Sequence, residues 1–346
     1  MKKNKNLFII LFLLSIFALF FIYSKNYSTL KKELSDFAVK DTGAITKIFL
    51  ADRNGHKITL ERKNKTEWQL NGKYETKPEL IQLFLETVYK VEVKARVAKA
   101  AYNNVIKALA ATGIKCEIYL NNNKEPDKIY YIGGQTENSE GTFMILENSS
   151  TPFVTEITGF LGYLTPRYSV DEDAWRNTMF IHCLPKEIKS LTLNYTNYPE
   201  KSFTIRSSNN TYIIEQQDSK KAIDGDVVAL ENYLRLYQKV YFESWAREMT
   251  PLQIDSLNRS QPVITLQLVT QNGLIKDVSI YPMPINERSL TKEDSLGNPL
   301  KYDLDRMYGY IRPEKELVTI QHYTFDKLLR QLSDFDLSSQ KKRIKR

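Results

Sequence analysis

The 346-residue chain has only two cysteines, Cys116 and Cys183, which excludes a disulfide-stapled scaffold. Its three histidines, His56, His182 and His322, stand apart from one another, and none reads as a metal ligand. Glycine is scarce, at 13 residues, and the phosphate-binding loops that depend on it are missing. Gly133-Gly134 follows a strand pattern and reads as a hairpin turn. No Gly-x-Ser-x-Gly elbow supports an α/β-hydrolase nucleophile. The body also lacks an excess of one charge. The net charge of +8 belongs to Lys2, Lys3 and Lys5 at one end and to Lys341, Lys342, Arg343, Lys345 and Arg346 at the other. Residues 7–340 balance, which argues against a basic nucleic-acid face.

One long apolar run is present. Leu7–Tyr23 reads LFIILFLLSIFALFFIY, apolar at every position but Ser15. It has the length of a short membrane crossing, and no small-residue processing site follows it. The expectation is an uncleaved signal anchor, with Leu7, Phe12, Ile16 and Tyr23 in contact with lipid. Residues 1–6 form a cytoplasmic tail, 24–40 a polar stalk, and 339–346 a basic tail suited to an anionic surface. The location expected is a bacterial inner membrane, crossed once, with the body periplasmic.

The body reads as a duplication. Ile45, Ile48 and Leu50 have the spacing of Ile188, Leu191 and Leu193, 143 residues on. Ile58-Thr59-Leu60 matches Phe203-Thr204-Ile205, Phe84-Leu85 matches Tyr233-Leu234, and Ile118 and Leu120 match Leu266 and Leu268. Further on, Phe143 pairs with Leu317 and Phe153 with Phe325, at offsets of 174 and 172, so the second copy carries an insertion. Its core is the polar stretch Asn286–Asn298. Each copy alternates as strands over 45–50 and 57–62, or 188–193 and 201–206. An apolar stripe from Pro78 and another from Asp226 read as helices, as does 98–112, closed by Gly113. Strands are expected over 114–120 and 128–132, and over 263–269 and 275–281. A last helix is expected from Thr151-Pro152, with Phe153, Ile157, Phe160 and Leu161 on one face, and from Thr324 in the second copy. The fold class expected is α+β, with tandem units at 41–180 and 181–338.

Three acidic groupings are candidates for chemistry: Asp171-Glu172-Asp173, Asp224-Gly225-Asp226, and Asp303 with Asp305. Paired carboxylates can cut glycosides and clustered oxygens can hold calcium, but a helix cap and solvated turns account for them as well. Cys116 and Cys183 read as buried thiols, with a disulfide between them open. The aromatics follow strand and helix periods and read by default as core; Tyr302, Tyr308 and Tyr310, beside the insertion, are the candidates for recognition. No catalytic residue, cofactor or metal ligand is assigned.

Several segments resemble the membrane-anchored bacterial family DUF-4340, a domain of unknown function. They are Ile45–Leu50, the turn Asn54-Gly55, Ile58–Arg62, Trp68-Gln69-Leu70 and the helix from Pro78. Leu109–Ile114 is similar to its Tyr-Gly-Leu element without the Tyr. Trp175–Phe180 is similar to its Leu-Arg-Asp segment with Asn177 in place of Asp. The resemblance implies an envelope accessory role beside ABC-transporter permease or auxiliary subunits of the gliding-motility type. The function expected is a non-catalytic interaction subunit. The alternative is a module that captures a peptide or glycan between the two units.

Overall fold

The computed structural model describes residues 35–208 and 211–337. It divides into two compact units between Asn177 and Thr178. In the first unit the strands are Ile45–Ala51 (β1), Lys57–Arg62 (β2), Trp68–Leu70 (β3), Tyr74–Glu75 (β4), Glu92–Arg96 (β5), Ile114–Leu120 (β6), Lys128–Gln135 (β7), Thr142–Leu146 (β8) and Phe153–Glu156 (β9). They form one antiparallel sheet in the order β4-β3-β2-β1-β6-β7-β8-β9-β5. Apolar side chains at every second position give it a buried face, where Ile48, Leu50, Leu60, Ile118 and Ile132 meet. Helix α1 (Pro78–Lys90) covers that face with Ile81, Phe84 and Val88. Its Phe84 ring lies edge-on to Tyr168 and Trp175, at 5.2 and 5.9 Å. Helix α2 (Lys99–Thr112) lies along β7 and β8, and one short turn, α3 (Glu172–Trp175), closes the unit.

The second unit contains Met179–Ile181 (β10), Ile188–Tyr195 (β11), Phe203–Ser208 (β12), Thr211–Gln216 (β13), Ala222–Ile223 (β14), Val240–Tyr241 (β15), Ser244–Trp245 (β16), Ile264–Thr270 (β17), Ile275–Pro284 (β18), Tyr302–Ile311 (β19) and Glu316–Gln321 (β20). Its large sheet runs β14-β13-β12-β11-β17-β18-β19-β20-β16, position for position the order of the first, and β10 pairs with β15 outside it. The registers agree as well. Lys47 stands opposite Glu61 and Tyr119, and Ser190 opposite Arg206 and Val269. Both central strands carry an irregularity at the same place, Ile45/Lys47 and Ile188/Ser190. The helices are α4 (Val227–Leu234), capped by Asp226, then α5 (Pro251–Arg259), capped by Thr250, and the short α6 (His322–Phe325).

The two cores solve the same packing problem with different volumes. In the first, Cys116 faces Tyr130 across β6–β7, and in the second Leu266 faces Val278 across β17–β18, all four buried. Each core also holds a pair of buried phenols. The Tyr130 and Tyr168 hydroxyls lie 3.3 Å apart, and those of Tyr233 and Tyr237 lie 2.7 Å apart, with Tyr233 also donating to Leu328 O.

Several expectations are corrected. The fold is mostly β-sheet, not α+β. The helix expected from Thr151-Pro152 is strand β9, whose inward residues are Phe153 and Thr155. Leu317 lies on β20, the counterpart of β9, so it does not correspond to Phe143 on β8. Gly133-Gly134 lies within β7 and is no turn. The unit boundary falls before 180 because β10 pairs within the second unit. The stalk gives way to fold by Phe37 and Val39, which are buried in the first core.

The run Leu7–Tyr23, with its expected lipid contacts Leu7, Phe12, Ile16 and Tyr23, lies outside the described residues, as does the tail Lys341–Arg346. Among the described residues no helix is long and apolar enough to cross a membrane. The longest that carries a sheet face, α2, has 14 residues, against the ~20 a span requires. The single-pass membrane assignment and the inner-membrane location therefore find no support among the described residues.

A Cβ placed on Gly133 would stand 2.8 Å from Leu109 Cδ2 of α2 and 3.2 Å from Phe143 O, whereas one on Gly134 meets nothing within 4 Å. Gly133→Val therefore lowers the stability of the first unit by about 1–3 kcal/mol in urea unfolding, and Gly134→Val leaves it within about 0.5 kcal/mol. Equal effects from both would contradict this packing.

Candidate functional site

The second sheet departs from the first most clearly between β18 and β19. There, residues 285–301 replace the short connection 136–141 of the first unit. This segment has its own order. Glu293 bridges Pro299, and Leu300 N donates to Lys292 O at 2.8 Å, forming a small hairpin. The Asp294 carboxylate closes its tip, accepting from Leu296 N, Asn298 N and Asn298 Nδ2 at 2.8–3.0 Å. Leu296 at the tip is 84% exposed and Leu290 is 79% exposed.

The base is held by charge. Asp303, 4% exposed, accepts from Ser289 Oγ at 2.6 Å, from Asp305 N at 2.8 Å and from Arg306 N at 2.9 Å. Burial alone pushes its pKa up; the Ser289 hydroxyl and the two backbone donors outweigh it and hold the carboxyl below the ordinary range. Arg306 Nε donates to Glu243 Oε2 and Oε1 at 2.8 and 3.1 Å, and its Nη1 donates to Arg288 O at 3.2 Å. The Glu243 hydrogen bond raises the Arg306 pKa further. Arg288 Nη2 reaches the same carboxylate at 3.1 Å from a more exposed position. Beside this network lies a pocket of about 260 Å³, lined by Glu248, Met283, Asn286, Glu287, Arg288 and Arg306. Tyr308 donates to Glu248 at 3.3 Å, and burial, then the nearby carboxylate, pushes its pKa up to about 12. At neutral pH the phenol is therefore a donor and no base.

Among the tyrosines considered for recognition, Tyr302 is 40% exposed, whereas Tyr308 is buried and Tyr310 packs beside it against Tyr281 and Leu317. The other candidates are spread through the fold in structural roles. Asp171 caps α3 by accepting from Asp173 N, Glu172 accepts from Asn71 Nδ2, and Asp173 lies 3.7 Å from Arg176. Asp226 caps α4 through Val228 N and Ala229 N. His56 pairs with Asp52 at 2.8 Å and His322 with Asp326 at 2.9 Å, each four residues apart, while His182 is exposed. Among the described residues no group of three or more His, Cys, Asp or Glu is placed to hold a metal ion. Cys116 and Cys183 are free and buried; burial pushes the Cys183 thiol up to about 11 and that of Cys116 higher still. Glu243, Ser289 and Arg306 carried no signal in the sequence, because Glu243 and Arg306 lie 63 residues apart and meet only through the sheet.

Comparison with known proteins gives no relative: no family model, no curated protein and no solved structure matches the chain. The likeness to DUF-4340 rests on the motifs quoted above.

Asp303→Asn removes the ionised acceptor at the base of the hairpin. It lowers stability near pH 7 by about 1–3 kcal/mol and speeds hydrogen exchange across 285–301. The folded-state pKa of Asp303 is depressed, so its contribution is complete above the ordinary aspartate value of 3.8. It is lost as the pH falls through the lower folded value. The difference between the two proteins, followed by urea unfolding, closes only on that acid side. A difference constant down to the lowest pH that preserves the fold would contradict the assignment.

Proposed function

We propose that the protein is a non-catalytic interaction subunit, and that the 285–301 hairpin is the part of it that a protein partner grips. The observation that carries this reading is the exposure of Leu290 and Leu296 on a segment whose tip and base are both fixed by carboxylates. Apolar side chains held in water by an ordered frame lose little further entropy on docking. The acidic groups first considered for hydrolysis support it too. Asp171, Asp226 and Asp303 are occupied by backbone donors, which is structural work. The partner class to test first is the one the DUF-4340 resemblance implies, a permease or auxiliary subunit of an ABC-type transporter.

The test places a photo-crosslinking residue at 296 in the tagged full-length protein, in its native cells. The expected result is one dominant partner. Leu290→Ser with Leu296→Ser weakens its retention by about tenfold or more. Leu161→Ser, which alters an equally exposed leucine of the first unit, leaves it unchanged. Crosslinking that is unspecific at 296, or retention indifferent to the paired substitution, overturns the reading.

A further inference from the structure

The first unit carries a polar basin of about 300 Å³. It forms where the start of β1, the end of β2 and the turn after β6 converge. Lys47, Arg62 and Lys63 line it with Glu61, Asn122 and Asn123. The turn is tightly specified. Asn121 and Asn122 take left-handed backbone angles, φ 51° and 60°, which asparagine tolerates better than most residues. Asn122 N donates to Thr46 Oγ1 at 3.1 Å, tying the turn to β1.

Arg62 is the fixed point of the basin. Its Nε donates to Ile45 O at 2.7 Å and its Nη2 to Thr42 O at 2.8 Å, and its guanidinium lies 4.8 Å from the centre of the Trp68 ring. Two carbonyls and an aromatic face hold it half-buried. Among the described residues none of its partners is a carboxylate, so its charge is positioned without being neutralised. Lys47 Nζ lies over the Tyr119 ring at 3.6 Å. Glu117, which feels the charge of Lys47, is engaged at contact distance by Lys115, at 2.8 Å. Glu61, the acid of the basin itself, pairs with Lys63 at 3.5 Å and stands opposite Lys47 across the sheet. Three cations thus share one carboxylate, beside two side-chain amides.

The shared register shows that this is particular to the first unit. Ser190 stands where Lys47 does, Ser207 where Arg62 does, and Arg206, in the place of Glu61, is paired with Glu215 at 3.1 Å. A fold of this kind therefore does not need the cluster. A fixed, unneutralised guanidinium with flanking ammonium and amide donors matches the tetrahedral oxygens of a phosphate.

We propose that the basin of Lys47, Arg62, Lys63, Asn122 and Asn123 binds a phosphate-class oxyanion, either free or carried on a small organic molecule. The proposal is independent of the hairpin and its partner. The experiment titrates the isotope-labelled full-length protein with inorganic phosphate at constant ionic strength and follows the Asn122 and Asn123 amide signals. The expected result is a saturable shift that Lys47→Gln with Lys63→Gln weakens by tenfold or more. Arg206→Gln in the second unit leaves it unchanged. Arg62→Gln abolishes the shift, with the urea transition of the same sample reporting whether the carbonyl contacts of Arg62 were needed for folding. The lysine pair decides the matter in either case. A hexose phosphate that binds more tightly than inorganic phosphate identifies an organic ligand; equal affinity identifies the free ion. A shift that stays linear in phosphate, or one that survives the Lys47→Gln, Lys63→Gln pair, overturns the proposal.

Discussion

The register of each central strand against its two neighbours is the constraint on which both units depend. In the first, Ile48 stands opposite Leu60 and Ile118; in the second, Leu191 stands opposite Ile205 and Leu268. A slip of one residue would turn Ile48 and Leu50, or Leu191 and Leu193, from core to solvent and bring lysine and serine inward. Fixing these strands also fixes what stands at their ends. The basic basin gathers at one end of β1 because Lys47 and Glu61 are cross-strand neighbours. The hairpin base closes because β18 and β19 run in step as far as the Pro282–Met307 pair.

Within that frame the two units have diverged where the frame is indifferent. The first spends its variation on charge at strand ends. The second lengthens a strand connection and anchors it with Asp303 and the Glu243–Arg306 pair. That ion pair is largely shielded from water, so it contributes more than the exposed Arg288 contact with the same carboxylate. In both cases new chemistry sits on loops and strand ends, and the buried faces stay apolar.

The central strands were legible in the sequence because Ile45, Ile48 and Leu50 repeat as Ile188, Leu191 and Leu193, and strands of seven and eight residues show their alternation. The helices from Pro78 and Asp226 announced themselves by cap and stripe. Shorter edges did not. Phe153, Ile157 and Phe160 have helical spacing, yet β9 is four residues long, too few for alternation to outweigh that coincidence. Strand β5, Glu92–Arg96, is a mostly exposed edge of charged residues and shows no periodicity. Gly133 read as a turn because a sequence does not show a helix pressing on a strand. The insertion was legible from its polarity. Its anchors were not, since Ser289, Asp303, Arg306 and Glu243 come together only through strand pairing.

Two sheets of one strand order on a single chain create a hazard during folding, since each strand is a near fit for the matching gap in the other unit. The unlike volumes across the paired strands answer it. If β6 took the place of β17, Cys116 would face Val278 and leave a void. If β17 took the place of β6, Leu266 would be forced against Tyr130 and overfill the core. Each exchange is penalised in the opposite sense, so the mismatch between the two cores acts as an identity code that keeps sister strands from trading places.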